Sequence, residues 1–268
     1  MKWGKVKRHP LILPFNIHFM NKHILYLIVV GIAVLGCGDG RRNIRDYYYP
    51  ALDLQQSKVY AYEMTVNGAS APDYWYYQSF ARDSGLFMSA TNYNRNFQID
   101  QMVRERIADD GSVARDYLMF EQDSATGKVI KIPAKLTSNV LFPFSVKDSL
   151  GVFLFSVEYH PLDNPDSKIY LIRNRRYLGD GPDFTFEGKD YPCIRMGVRE
   201  AIGNESEGAS EIEGSGEEWY AKGIGLVYFK KSYGAKGQLQ REYRLKEIFS
   251  MEELEKRAGE VLLQQQKQ

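Results

Sequence analysis

Few residues in this sequence are placed to do chemistry, and the first is a thiol. Cys37 follows Gly36 at the end of the apolar stretch Ile24 to Leu35. The Cys37 thiol is a nucleophile, and the absence of a side chain on Gly36 leaves the backbone before it sterically open. Cys193 lies between Pro192 and Ile194 in an apolar strand pattern and reads as a buried thiol. His160, before Pro161, reads as a turn residue. Glu217 and Glu218 are adjacent carboxylates, but neighbours in a strand point to opposite faces, so they do not form a glycosidase pair. The acidic loops Asp163-Asn164-Pro165-Asp166 and Asp180-Gly181-Pro182-Asp183 follow no EF-hand pattern, and turn chemistry accounts for them. There is no G-x-S-x-G elbow, phosphate loop or zinc motif, so no catalytic residue, metal ligand or cofactor is assigned.

The stretch from Ile24 to Leu35 has twelve residues, about 18 Å as a helix, against the roughly 30 Å hydrocarbon core of a bilayer. That length fits a signal-peptide core, with Lys22 and His23 ahead of it. Val34-Leu35-Gly36-Cys37 resembles the lipobox of bacterial lipoproteins, with Leu35 larger than the small residue usual at that position. The resemblance implies cleavage between Gly36 and Cys37, acylation of Cys37, and a membrane partner reached through the lipid. The expected location is the bacterial envelope, on the outer membrane facing the periplasm. Residues 1–36 then form a leader and signal peptide whose true start is either Met1 or Met20.

Cleavage would change the charge of the chain. The first 36 residues hold five of the 35 Lys and Arg and none of the 34 Asp and Glu, which leaves 30 against 34, a formal charge of −4. A nucleic-acid partner is not expected, because such proteins carry a clustered basic face.

After Cys37 the polar residues 38–46 read as a tether, and the globular part is expected to start near Tyr47. Residues 47–249 read as one antiparallel all-β domain, a meander of short segments rich in Tyr, Phe, Val and Ile bounded by Gly, Asn, Asp and Pro. The predicted architecture is an open or half-closed barrel or a large curved sheet, with Pro133 to Asp148 as its best candidate seam. Leu239, Arg241, Tyr243 and Leu245 alternate onto one face of the last strand. Ser250 and Glu253 then form a capping box, opening a short C-terminal helix and tail over residues 250–268.

The segment Trp219-Tyr220-Ala221-Lys222-Gly223-Ile224-Gly225-Leu226-Val227 resembles the final hairpin of uncharacterised all-β envelope lipoproteins in the style of half-barrel carriers, a likeness over about the last third of the chain. Gly223 and Gly225 are explained by a tight turn or bulge without a ligand. Tyr74, Trp75, Tyr76, Tyr77 and Trp219 form a candidate ligand platform, with core packing as the competing account of the same residues. Asp123-Ser124-Ala125 and Asp148-Ser149-Leu150 resemble a tripeptide that some bacteria O-glycosylate on exported proteins. The leading expectation is a membrane-anchored, non-catalytic β domain that binds an apolar or glycan ligand or a protein partner. The alternatives are a structural or assembly component acting through a sheet edge or the terminal helix, and then a carboxylate-dependent hydrolase.

Overall fold

Alternation of aromatic or branched residues with polar ones makes strands, and the strands here continue until the sheet meets itself. The computed structural model describes residues 40–147, 151–205 and 210–265. The elements are β1 (Arg42–Asn43), β2 (Lys58–Val66), β3 (Ala69–Arg82), β4 (Gly85–Tyr93), β5 (Ile99–Ile107), β6 (Gly111–Gln122), β7 (Val129–Pro143), β8 (Ser145–Val146), β9 (Phe153–Tyr159), β10 (Lys168–Asp180), β11 (Phe184–Phe186), β12 (Lys189–Tyr191), β13 (Cys193–Glu205), β14 (Ser210–Ala221), β15 (Gly225–Tyr233), β16 (Leu239–Phe249) and the helix α1 (Met251–Gln265). Twelve of these strands form one antiparallel barrel in the order β2-β3-β4-β5-β6-β7-β9-β10-β13-β14-β15-β16, and β16 pairs back onto β2.

The all-β antiparallel class and the C-terminal helix are as the sequence implies, but the sheet closes fully instead of stopping half way. Closure needs strong local twist, and register shifts supply it at Arg104/Glu105, Tyr177/Gly179, Trp219/Tyr220 and Leu245/Glu247. The expected seam from Pro133 onward is instead the strand β7. Pro133 is tolerated because it pairs only with Leu118 of β6, while pairing with β9 starts at Lys135, so its missing N–H faces no partner strand. The segment from Phe184 to Tyr191 reads as part of the meander but lies outside the barrel, as a hairpin turned by Glu187 and Gly188 at φ 51° and 76°.

Residues 42–46, expected as part of a tether, are built into the fold. β1 pairs with β8, Ile44 is fully buried, and its N–H donates to the Phe144 carbonyl at 2.9 Å. Residues 42–46 therefore belong to the globular unit. From Ile44 to Leu54 the chain folds across one end of the barrel as a plug. Tyr49 stacks on Tyr77 with ring centroids 4.2 Å apart, Tyr48 packs on Phe142 at 4.9 Å, and Leu54 is 1 % exposed. Each of these buried side chains contributes on the order of 2 kcal/mol of transfer free energy. Gly225 is required by this plug: its φ is +106°, and a Cβ there would lie 2.5 Å from the Tyr49 ring.

Outward positions carry charge at mid-strand, with Glu63, Lys131, Lys135, Arg199, Lys230 and Arg244 exposed. Such a surface suits water and not lipid hydrocarbon. The helix α1 covers one patch of the outer wall. The Ser250 Oγ accepts the Glu253 N–H at 3.4 Å, as the capping box implies, and Leu254, 2 % exposed, packs with Val59, Ala61 and Tyr74. Replacing Leu254 by Ala should remove about 2–3 kcal/mol, read as a lower urea midpoint; an unchanged midpoint would show that the helix is not docked.

Candidate functional site

Inward positions of a closed barrel have nowhere to go but its lumen, and here many of them are charged. β10 sends in Arg173 and Arg175, β13 Glu200, β14 Glu218, β15 Lys231 and β16 Arg241, all lining one cavity of about 300 Å³. The plug tyrosines Tyr48 and Tyr49 bound it at one end. Towards the other end it is lined by Gln101, Leu171 and Ile202, the last 40 % exposed.

The centre of the cluster is Lys231, whose Nζ lies 2.9 Å from both Glu200 Oε1 and Glu218 Oε1. Arg175 donates to Glu218 at 2.7 Å through Nε and 3.4 Å through Nη2, and Arg173 Nε pairs with Glu200. Tyr233 and Tyr220 hydroxyls complete the two carboxylates at 2.6 and 2.8 Å. Two glycines make room for this arrangement. Gly214 and Gly216 share the inward face of β14 with Glu218, and a Cβ on them would lie 2.3 Å from the Tyr233 ring and 2.0 Å from the Lys230 carbonyl oxygen.

Burial opposes the charge on Glu200, but Arg173 and Lys231 outweigh it and hold that carboxyl down at about 2. Glu218 is likewise held well below the usual range against its burial, chiefly by Arg175. Burial draws the Lys231 ammonium below its ordinary value, with Glu218 opposing that shift. Glu105 behaves in the opposite way. No cation among the described residues pairs with it, so burial pushes it up to about 8, only partly offset by the Tyr48 hydroxyl that donates to it at 2.5 Å; the Ser112 hydroxyl donates to the same oxygen. Glu105 is therefore neutral at pH 7 and ties the plug to the wall.

The candidate platform is divided by strand alternation. Trp75 and Tyr77 line the lumen, with rings 6.2 Å apart. Tyr74 and Tyr76 face the other way, into the cluster beneath α1. Trp219 lies outside the cavity, against Tyr228 at 4.7 Å. Cys37 and Gly36 lie outside the described residues, as does Ser149; Ser124 sits in an exposed turn where Asp123 Oδ1 accepts the N–H groups of Ala125 and Thr126. Cys193 is buried, and burial raises its thiol to about 11, so it is a poor nucleophile. His160 is exposed, with Nδ1 2.9 Å from the Pro165 carbonyl oxygen. Glu218 is in the lumen while Glu217 is on the outer face beside Arg195 at 3.6 Å. Among the described residues no three His, Cys, Asp or Glu side chains converge on a metal-sized site.

Sequence reasoning missed the ionic cluster, although one signal for it was present. A charge followed two residues later by tyrosine recurs as Arg175 and Tyr177, Glu218 and Tyr220, Lys231 and Tyr233, and Arg241 and Tyr243. Because strand side chains alternate, each such pair shares a face, and a buried tyrosine takes its charged neighbour inside with it.

No family model matches the chain, and neither does any curated protein. Two solved structures match. One is a candidate lipoprotein from Parabacteroides distasonis, 14 % identical with a TM-score of 0.45, covering 75 % of this chain and 97 % of that one. The other is a candidate exported protein with a YmcC-like fold from Bacteroides fragilis, 15 % identical with a TM-score of 0.49, covering 75 % and 98 %. Likenesses at this level carry no functional argument, so the reading rests on the barrel itself.

The opposed carboxyl shifts give a pH test. Glu105 binds its proton in the folded state up to about pH 8 but in the unfolded state only up to about 4.5, so stability falls as pH rises between those values, by on the order of 5 kcal/mol. The Glu200 contribution is complete above about pH 4.5 and is lost as pH falls towards 2. Urea unfolding should therefore show highest stability near pH 5, and Glu105→Gln should abolish the decline between pH 5 and 8 while leaving the acid limb. A decline that persists in Glu105→Gln would assign it to another group.

Proposed function

We propose that this protein is a non-catalytic envelope lipoprotein, anchored by acylation of Cys37, whose barrel lumen holds the apolar body of a ligand. The observation that carries the ligand reading is the unfilled cavity of about 300 Å³ inside a closed barrel, lined by Trp75, Tyr77, Phe229 and Tyr243. That size lies at the lower end of small-molecule sites, and aromatic walls with a few fixed polar groups are the usual lining. The assembly alternative loses support in part, because the twelve barrel strands leave no free edge, only the two-stranded β1–β8 and β11–β12 sheets having any, and α1 is docked by Leu254. The hydrolase alternative finds no proton donor beside a free carboxylate among the described residues that line the lumen. The Glu200 and Glu218 oxygens are occupied by cations and tyrosines, and the protonated Glu105 is engaged by Tyr48 and Ser112.

The anchor is supported by the sequence around Cys37, and its test is intact mass after expression in a bacterial host. A mature chain beginning at an acylated Cys37, with the added mass lost in Cys37→Ser, is the expected result. Retention of residues 1–36 without lipid in both proteins would remove the anchor from the reading.

The lumen is tested with Trp75 as the reporter, in the full chain carrying Trp3→Phe and Trp219→Phe. A neutral ω-brominated undecanol should quench Trp75 saturably, because bromine quenches only at close contact. Quenching no greater than that of free tryptophan in the same detergent would show that the cavity takes no apolar body.

A further inference from the structure

The lumen carries more positive charge than its own carboxylates neutralise. Arg173, Arg175, Lys231 and Arg241 line it, against Glu200, Glu218 and the protonated Glu105. Asp73, whose Oδ2 accepts from Trp75 Nε1 at 2.9 Å and Asn92 Nδ2 at 3.1 Å, is the remaining buried carboxylate near this end of β16. Counting Asp73 as ionised still leaves four cations against three carboxylates.

The surplus is localised on one residue. Arg173, Arg175 and Lys231 each have a glutamate partner, whereas Arg241 forms no ion pair among the described residues. Its Nη2 donates to the Tyr243 hydroxyl at 2.7 Å and touches the Met64 sulfur at 3.4 Å, and its Nε is buried with no partner at all. Removing a guanidinium from water without an anion is costly, and a buried donor left unsatisfied adds to that cost. Arg241 sits directly opposite Lys231 in the β15–β16 ladder, and the carboxylate that acts on its charge, Asp73, does so without an ion pair, on the far side of the Tyr243 hydroxyl. The guanidinium lies 5.0 Å from the Tyr243 ring, which itself stacks on Phe229 at 4.3 Å. The unpaired cation and the aromatic wall are thus continuous within one cavity.

We infer that the lumen binds a small single-bodied amphiphile bearing one anionic head, a carboxylate or a phosphate monoester, with Arg241 as the partner of the head and Tyr243, Phe229 and Trp75 against the body. This rests on the lumen reading above and adds the charge of the ligand. Size limits the body: an apolar cavity of about 150 Å³ accommodates benzene, so 300 Å³ holds roughly twice that and excludes a lipid with two long chains. A planar guanidinium with free donors suits both head groups, since it can give two parallel N–H bonds to either.

The test compares ω-brominated undecanoate, undecyl phosphate and undecanol as quenchers of Trp75 in the full-chain reporter protein, in one detergent at pH 7. The head group is the variable of interest, and a control protein lacking Trp75 in place of Trp219 corrects for partition into micelles. At least one anion should bind roughly tenfold more tightly than the alcohol, the scale of one charged hydrogen-bonded contact. The identity of the preferred anion assigns the head as carboxylate or phosphate. Arg241→Gln should remove the preference, bringing the anions to the affinity of the alcohol in the same variant, and Arg241→Lys, which keeps the charge, should retain most of it. An equal affinity for all three ligands, with the alcohol still quenching, would overturn the anionic head and leave the lumen reading standing. A preference that survives Arg241→Gln would overturn the assignment to Arg241. Absence of quenching by all three would remove both.

Discussion

Lys231 holding two glutamates at 2.9 Å is the contact around which the barrel interior is arranged. A buried ammonium between two buried carboxylates is tolerable only when each group has its full set of partners, because the loss of any one leaves an uncompensated charge in low dielectric. That condition explains otherwise unrelated features. Gly214 and Gly216 leave the volume that Tyr233 and Lys231 occupy, Arg173 and Arg175 enter from β10 across β13, and Tyr220 and Tyr233 supply the last donors. Four strands, β10, β13, β14 and β15, thus contribute to one network, and the network specifies their register: a slip of one residue in any of them would turn its charge outward and leave its partner buried alone.

The two ends of the lumen use different physics. At the plugged end, Ile44, Tyr48, Tyr49 and Leu54 fill the space by aromatic and aliphatic packing, and the protonated Glu105 provides a polar latch between plug and wall. Further along the lumen, cations and tyrosines line a cavity of about 300 Å³ that no side chain occupies. A barrel built only for stability would fill that volume with side chains, since cavities lose dispersion contacts. The contrast between a packed end and an unfilled, charged interior is the physical basis for reading the lumen as a ligand chamber.

Much of the fold was legible in the chain. Lys58–Val66 and Gly85–Tyr93 alternate with turn residues beside them, Asn67 and Gly68 turn at φ 47° and 87°, and the Ser250 and Glu253 cap starts the helix where composition places it. Pro133 misled, because proline reads as an interruption unless it is known which edge of the strand lacks a partner. Residues 42–46 misled as well, because a polar, glycine-adjacent segment carries no local sign that Ile44 will be buried beneath Phe144.

The candidate site divides along the same line. Strand type, the helix cap and the signal-like segment ending at Cys37 were legible in the sequence alone, since each depends on residues within a few positions of one another. Tertiary structure alone decided that the sheet closes, that Trp75 and Tyr77 face the lumen while Tyr74, Tyr76 and Trp219 do not, and that Arg241 lacks a partner where Arg175 has one. Alternation places residues on two faces but does not say which face is inside, and whether a buried charge is paired depends on strands up to about 70 residues away in the chain, such as Arg175, Glu218, Lys231 and Arg241.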